Sequence, residues 1–357
     1  NRTQDATIFK ACNVGSDCLV GRNREFQMLG LDSRINHAYK ALGIANEAEF
    51  GVRLHTESQI NQLVSSKTLA YSGRVSLHEE NKANSIALYG QNRFLLTENF
   101  ALIPGVRVES YNQTRSNVIT GKSGSAKNME IIPQIGATWQ LIPQAQAYGS
   151  IYKGFAPAQL ATAIDDKGVD QQLAPERSTN MELGLRGRSG AFSYDSAIFS
   201  MNFSNQIVNQ SLAAGISKAN GGKSLHQGAE ASLGYEVGHG WAINANATYI
   251  PVAKFVGTNS LGRDGNRIPY TPKLTSNLGV SYEKNGFNTL VSLNYLSNQY
   301  ADSANTVAPN AIGTLGEVPA FTTVNWSANY AINKDWKVFG VINNVFDKRY
   351  ISSRSPD

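Results

Sequence analysis

The sequence predicts an all-β fold, specifically a transmembrane antiparallel β-barrel. Three observations predict it: long strands in which apolar and polar residues alternate, aromatic residues near the ends of the apolar face, and connections that are alternately short and long. Strands of about ten residues with an apolar lipid-facing side and a hydrated inner side are typical of membrane barrels. A closed barrel also leaves no backbone hydrogen-bonding group unpaired in lipid.

The alternation is clearest in two hairpins between residues 225 and 297. In the strand 229–237 every second residue is apolar or aromatic, and the residues between them are small or polar. The same period of two resumes after the turn at 238–240 and on both sides of the turn at 284–286. This is the pattern of antiparallel hairpins. It predicts that Leu233, Ile243, Val280 and Leu293 face lipid and that Glu230, Asn244, Asn277 and Asn294 face the lumen.

About fourteen such strands follow one another along the chain. We place them at residues 26–37, 47–57, 85–94, 102–111, 131–139, 145–155, 181–187, 192–203, 229–237, 241–249, 274–283, 288–295, 321–330 and 336–346. Long polar loops are expected at residues 58–82, 112–128, 156–177, 204–226, 251–271 and 298–320. Short turns at one rim and long loops at the other match the periplasmic and extracellular sides of a membrane barrel.

Composition excludes several other classes. The 357 residues show no shift in composition that would mark a domain boundary, and no apolar run approaches the roughly 20 residues of a transmembrane helix. The net charge of +5 is dispersed rather than gathered in a stripe, so nucleic-acid binding is not expected. A mildly cationic lumen or mouth suits an anionic cargo better.

The two cysteines, Cys12 and Cys18, lie in the polar segment 11–24. No histidine or further cysteine stands near them to complete a zinc site, and their spacing is not that of a two-residue redox motif. A disulfide within a small loop fits the pair better. Such a bond predicts an oxidising compartment outside the cytosol.

Five stretches carry a resemblance to a known family. Residues 152–157 read Tyr-Lys-Gly-Phe-Ala-Pro, and residues 173–184 begin with Leu-Ala-Pro-Glu and end with Glu-Leu-Gly. This strand end and the strand start that follows it resemble the barrel of TonB-dependent outer-membrane receptors, especially those for ferric siderophores and ferric citrate. Residues 103–109, 266–272 and 341–350 agree with the same family, in which the last motif marks the penultimate barrel strand.

The resemblance implies that residues 1–357 form one barrel domain with about 14 of the roughly 22 strands of such a receptor. The plug domain, the energy-coupling box, the early strands and the final strand of the family pattern do not match any part of the sequence. The family further implies a place in the bacterial outer membrane, among its lipids and lipopolysaccharide. It implies a ferric siderophore as cargo, with energy from the TonB complex through the missing N-terminal part. No cofactor is implied, because the ferric chelate is the cargo.

Arginine and tyrosine residues in or beside the long loops are the candidates for cargo contacts. A ferric chelate is usually anionic, and arginine pairs with carboxylate or catecholate oxygens in a fixed geometry. The candidates are Tyr71, Arg74, Arg115, Arg263, Arg267 and Tyr300. The five histidines are dispersed, so we expect no clustered metal site.

Three other functions stay open at this point. The first is a receptor of the same class for another cargo, such as cobalamin or an oligosaccharide, and the second is a passive porin. The third is a barrel enzyme such as an outer-membrane lipase. We do not expect an enzyme, because the sequence has no Gly-x-Ser-x-Gly, His-Glu-x-x-His, P-loop or Rossmann motif. It also offers no Ser/His pair on adjacent positions of the wall.

Overall fold

The structure of the chain is a computed structural model. It describes residues 19–66, 73–158, 160–165, 167–170, 174–205, 207–208, 219–220, 222–257 and 264–354. Cys12, Cys18, Tyr71 and Arg263 lie outside the described residues.

Most of the described residues are in β-strands. The strands are β1 Leu19–Ala41, β2 Ile44–Ser66, β3 Arg74–Leu95, β4 Phe100–Asn117, β5 Lys122–Ile142, β6 Ala145–Ala156, β7 Glu176–Ser189, β8 Phe192–Ser204, β9 Ile207–Val208, β10 Ala219–Asn220, β11 Lys223–Gly238, β12 Trp241–Val256, β13 Leu274–Lys284, β14 Phe287–Leu296, β15 Gln299–Tyr300, β16 Glu317–Val318, β17 Phe321–Ala331 and β18 Lys337–Ile342. One helical turn, α1 Leu160–Ala163, lies between β6 and β7.

Fourteen strands form a single antiparallel sheet in chain order from β1 to β18. The pairs β9–β10 and β15–β16 are separate two-stranded ribbons. Within the described residues, β1 pairs only with β2 and β18 only with β17, so the sheet has two open edges. The predicted all-β fold and the count of about fourteen strands are confirmed.

Tight turns follow from residues that tolerate a positive φ. Asn285 and Gly286, with φ of 49° and 79°, form the two-residue link between β13 and β14. Two successive positive φ angles give the type I′ turn, whose twist matches that of paired strands. Leu42 and Gly43, with φ of 53° and 76°, link β1 to β2 in the same way.

The two faces of the sheet differ as the alternation predicts. Leu233 pairs with Ala245, which pairs with Leu278 and then Leu293, so one apolar row crosses four strands. The opposite face carries Glu230, Asn244, Asn277 and Asn294, and Asn277 donates a 2.7 Å hydrogen bond to Asn294. We call the apolar side the outer face and the polar side the inner face.

The apolar set on the outer face is not packed into a core. Leu233, Ile243, Val280 and Leu293 are 36–44% exposed. On β12 the outer face begins at Trp241 and reaches a second aromatic residue at Tyr249, eight residues later. Eight residues of strand span about 27 Å along the strand, which at the tilt of barrel strands is about 20 Å along the barrel axis, comparable to the roughly 25 Å apolar band. The outer face therefore has the dimensions and aromatic ends of a lipid-facing surface.

The first five strands are much longer than the sequence predicted. They contain 23, 23, 22, 18 and 21 residues. The loops predicted at 58–82 and 112–128 were therefore wrong: β2 continues to Ser66, and only residues 118–121 separate β4 from β5. These extensions are mostly polar on both faces, so they lack the regular alternation that reveals a strand. Ladder hydrogen bonds and side-chain pairs, such as Asn81 with Gln59 at 3.1 Å, hold them instead.

Several other predicted boundaries were also wrong: β7 begins at Glu176 and β11 at Lys223, and β12 continues to Val256. The first strand continues to Ala41, through the connection expected at 38–45. The last strand ends at Ile342 instead of residue 346, because Asn344 has a φ of 52° and caps a turn. Its side chain accepts from the Lys348 amide at 3.0 Å and donates to the Lys348 carbonyl at 3.0 Å. None of the described helices is long and apolar enough to cross a membrane.

Candidate functional site

The longer connections all leave the same end of the sheet, which we call the long-connection end. They follow β6, β8, β12 and β14, whereas the links at the other end contain two to five residues. Strands in an antiparallel sheet alternate in direction, so every second connection returns to the same end. Any site built from several of these connections must lie there.

One of these connections folds against the inner face. The described residues between 157 and 170, which we call the inward segment, contain α1 and lie against β4 and β5. Ile164 is fully buried in a cluster with Ala126, Ala158 and Ala163. Gln113 of β4 donates a 3.0 Å hydrogen bond to the Ala158 carbonyl. Side chains of the wall therefore hold the segment in place.

Two glycines allow the inward segment to touch the β4–β5 hairpin. A Cβ on Gly124 would lie 2.1 Å from the Gly168 carbonyl oxygen, and one on Gly168 would lie 2.5 Å from the Ser123 carbonyl oxygen. Gly168 also has a φ of 79°, which favours glycine. The backbone contact excludes any larger residue at either position.

Arg115 joins the wall to the inward segment. Its guanidinium is ion-paired with Glu79 of β3, whose side chain is only 3% exposed. It also donates a 2.5 Å hydrogen bond to the Ile164 carbonyl. Asn61 of β2 donates to the second Glu79 oxygen at 3.1 Å. This predicted cargo residue therefore lies in β4 rather than in a loop, and its side chain contacts both β3 and the inward segment.

A second ion pair ties β7 to β5. Arg177 donates two hydrogen bonds to Glu130, at 2.9 and 2.7 Å, and the Glu130 side chain is 8% exposed. Nearby, the rings of Tyr111 and Phe155 stack with centroids 5.8 Å apart. A polar cavity of about 250 Å³ lies between the wall and the inward segment, lined in part by Gln113, Asn128 and Asp170.

Arg267 holds together a second group of connections. Its guanidinium donates to the carbonyls of Thr271, Ile250 and Pro251 at 2.8, 2.7 and 3.1 Å. Asn305 accepts from the Arg267 amide at 2.7 Å and donates to its carbonyl at 2.8 Å. Burial lowers the pKa of the Arg267 guanidinium from its usual value. These contacts fasten residues 264–273 to the end of β12 and to the connection after β14.

The four predicted cargo residues that the structure describes do not form one cluster. Arg74 is the exposed first residue of β3, and Arg115 lies with the inward segment. Arg267 and Tyr300 belong to the second group, where the Tyr300 carbonyl accepts from the Tyr270 amide at 2.9 Å. Tyr71 and Arg263 are outside the described residues. A role in cargo binding stays a prediction for all six.

Sequence reasoning missed Glu79, Glu130 and Arg177, which fasten the site. Arg177 directly follows the Leu-Ala-Pro-Glu motif, so the motif could have identified Arg177 as a candidate site residue. Glu79 and Glu130 lie in polar stretches whose strand partners could not be identified without the register. Within the described part of the chain, no group of three or more His, Cys, Asp or Glu residues could hold a metal ion.

Comparison with known proteins identifies the family. A family model described as "TonB dependent receptor-like, beta-barrel" matches residues 13–345. The chain is 24% identical over 313 residues to the pesticin receptor of Yersinia enterocolitica, a match that covers 84% of this chain and 44% of the receptor. It is 25% identical over 289 residues to the metal-pseudopaline receptor CntO of Pseudomonas aeruginosa, covering 76% of this chain and 38% of CntO.

The fold agrees with solved structures. The unliganded ferric citrate transporter FecA superposes with a TM-score of 0.78 at 23% identity, covering 93% of this chain and 51% of FecA. The chain thus spans about half the length, or less, of these relatives. The matches are to receptors and transporters, and the chain is not an enzyme. Because the family model covers almost the whole sequence, the chain belongs to the TonB-dependent receptor β-barrel family.

Proposed function

We propose that this chain is the greater part of the barrel wall of a bacterial outer-membrane receptor that imports a ferric siderophore or a similar ferric chelate. Energy would come from the TonB complex, through a part of the protein outside this chain. Outer-membrane lipids, including lipopolysaccharide, would surround its outer face.

The observation that carries the proposal is the arrangement of the two faces and one end of the sheet. An apolar outer face with aromatic ends suits lipid, and a polar inner face suits a hydrated lumen. At the long-connection end, hydrogen bonds from Arg115 and Gln113 hold the inward segment against that inner face. A wall of this kind presents fixed polar surfaces to a ligand that arrives from one side.

The chemistry of the relatives supports a ferric chelate as the cargo. Two of the relatives reported above are named as the ferric citrate transporter FecA and the metal-pseudopaline receptor CntO. An anionic chelate would meet cationic and aromatic side chains at the long-connection end, and Arg74 is exposed there. We assign Arg74, Tyr71 and Arg263 to cargo contact. Arg115 and Arg267 instead position the connections, because carboxylate and carbonyl oxygens already accept from them.

A binding titration tests the proposal. The complete receptor that contains this chain, purified in detergent, is titrated with a panel of ferric siderophores, ferric citrate, cobalamin and maltodextrins. We expect saturable binding of at least one ferric chelate. Arg74→Ala combined with Arg263→Ala should weaken it at least tenfold, because each charged hydrogen bond contributes about 1.5–3 kcal/mol.

The control for this titration is Lys284→Ala, a substitution at the opposite end of the sheet, which should leave binding unchanged. Tight binding of cobalamin or a sugar with no response to any ferric chelate would rule out the iron cargo and leave the receptor class intact. Steady ion conductance in planar bilayers without any saturable ligand would favour a passive porin.

A further inference from the structure

A half-buried histidine lies on the inner face near the long-connection end. His226 of β11 pairs with Met201 of β8 on one side and with Ala253 of β12 on the other. The alternation along β11 turns its side chain inward. It lies three residues beyond Ala229, which pairs with Tyr249 at the aromatic edge of the outer face. His226 is therefore outside the membrane-spanning part of the strand, where the longer connections begin.

The surroundings of His226 are unfavourable for a charged ring. The ring contacts Phe203 edge-on, with centroids 5.4 Å apart, and the neighbouring Ala253 and Phe255 are buried. Its Nε2 atom is buried and has no hydrogen-bond partner among the described residues. Whichever nitrogen carries the proton of the neutral ring, the protonated ring must hold an N–H at Nε2. A buried charged donor without an acceptor carries a large energetic cost.

Arg267 is the charged group that acts on the His226 ring. Its guanidinium donates to the carbonyls of Ile250 and Pro251, which bulge from β12 opposite Gly228, two residues after His226. Burial and, to a smaller extent, the positive charge of Arg267 lower the pKa of His226 from its ordinary value. No acidic side chain in the described part of the chain forms an ion pair with this histidine. The ring is therefore neutral at neutral pH.

Other charged side chains on the surrounding elements do not offset this field. They are Lys223, Lys254, Glu182, Glu230, Asp264 and Asp302. The two lysines are exposed on the outer face. Asp264 and Asp302 accept from backbone amides, at 2.7 and 2.8 Å. The two glutamates lie nearer to the short-turn end, and Glu230 is about 13 Å away along β11. A proton on His226 would therefore meet a cation without a compensating anion.

The connection after β12 is fastened to the pairing partner of His226. The Ala253 carbonyl accepts a 2.9 Å hydrogen bond from the Ile268 amide. Two residues further along β12, the Phe255 amide donates to the same connection at 3.0 Å. Arg267 precedes Ile268 directly, so a second positive charge at His226 repels the part of the connection that β12 holds. Release of the connection relieves that repulsion and opens the ring to water.

We propose that His226 is a proton-sensitive switch: protonation of its ring releases residues 264–273 from the end of β12, and deprotonation restores the contact. The ring binds a proton more tightly in the released form, where water surrounds it, than in the closed form. The closed form is therefore fully favoured above a pH of about 6.5 and loses stability as the pH falls below that value. This switch does not depend on which cargo the receptor binds.

Amide hydrogen exchange of the complete receptor in detergent tests the proposal. Exchange is measured from about pH 7.5 to about pH 4.5, and each rate is corrected for the pH dependence of an unstructured peptide. We expect protection of residues 264–273 to fall at least tenfold, with a midpoint below about pH 6.5. Amides in β13 serve as the internal reference and should stay protected. Constant protection of residues 264–273 over the whole range would overturn the proposal.

Two neutral variants assign the pH dependence to His226. His226→Gln and His226→Phe cannot take up the proton, so residues 264–273 should stay protected at every pH. His226→Phe keeps the contact with Phe203 and covers the case in which the glutamine amide disturbs the apolar surroundings. The control is His239→Gln, which removes an exposed histidine from a short turn at the opposite end of the sheet. It should keep the pH dependence of the unmodified receptor.

The same variants separate the switch from its alternatives. Acid release that persists in both neutral variants would assign the effect to carboxylates such as Asp264 and Asp302, and it would overturn the switch. Opening of both variants at about pH 7.5 would give His226 a packing role only, with the same consequence. If no ferric chelate binds to the receptor while release still depends on His226, the proposed cargo fails and the switch stands.

Discussion

The buried carboxylate of Glu79 holds three strands and the inward segment together. It accepts hydrogen bonds from Asn61 and Arg115, and Arg115 in turn donates to the Ile164 carbonyl. A buried charge is tolerated while its partner is present and becomes costly when that partner is removed. Arg115 therefore affects both the wall and the position of the inward segment.

Arg115→Ala should lower the free energy of unfolding by about 3–5 kcal/mol, because it leaves the Glu79 carboxylate buried without its cation. It should also speed amide hydrogen exchange in residues 157–170, since the Ile164 carbonyl loses a donor. Arg188→Ala is the control. It breaks an exposed ion pair with Glu236, whose side chains are 62% and 65% exposed, and should cost less than about 1 kcal/mol. Similar small costs for both variants would show that the buried pair does not hold the segment.

Gly168 is the second residue on which the inward segment depends. Gly168→Ala combines an unfavourable φ with a clash against the Ser123 carbonyl, so we expect residues 157–170 to detach and become sensitive to protease. Gly121→Ala shares the positive φ, at 66°, but its Cβ would meet nothing within 4 Å. Limited proteolysis should therefore distinguish the Gly168→Ala variant from the Gly121→Ala variant. Identical cleavage patterns would argue against the close contact between residue 168 and the Ser123 carbonyl.

At the residue scale, the sequence indicated which residues carry a charge better than it indicated what those residues contact in the fold. Arg115 and Arg267 stood out as charged residues in polar stretches, but their contacts depend on strand register and loop folding. The Glu79 side chain is a partner of Arg115 only because β3 and β4 place Asn81 opposite Arg115. Such a pairing carries no signal in a single sequence.

At the scale of elements, the alternation predicted which residues share a face but not where strands end. Along β11–β14 every second residue is apolar, so the faces of Leu233 and Asn277 could be assigned from the sequence. Beyond the apolar band, β1–β5 continue for several polar residues on both faces. The pairing of Thr114 with Ser125 shows why no contrast marks these extensions as strands.

The lipid-facing assignment of β11 leads to a direct test. Leu233 pairs with Ala245, midway between Trp241 and Tyr249, so it lies near the centre of the apolar band. Leu233→Arg should therefore lower the free energy of unfolding in lipid by about 2–4 kcal/mol. Ser232→Arg places the same charge one residue earlier, on the inner face, where Ser232 pairs with Asp195 of β8. This substitution should cost much less. Equal costs measured by denaturant titration in vesicles would refute the assignment of the faces.

At the scale of the whole molecule, the described sheet has two open edges, at β1 and β18. An unpaired edge exposes backbone donors and acceptors that pair readily with other chains. We expect residues 1–357 expressed alone to aggregate during refolding into detergent, and the complete receptor to give a soluble monodisperse species. Size-exclusion chromatography compares the two, and a monodisperse isolated chain would contradict this view of the edges.

We propose that this wall belongs to a receptor that moves a ferric chelate with energy from TonB. Iron uptake by cells that carry the complete receptor, with and without an intact TonB complex, is the decisive measurement. We predict that a ferric siderophore binds to both kinds of cell but enters only those with TonB, and that Arg74→Ala with Arg263→Ala lowers both binding and entry. Equal entry without TonB, or no binding of any ferric chelate, would contradict the proposed function.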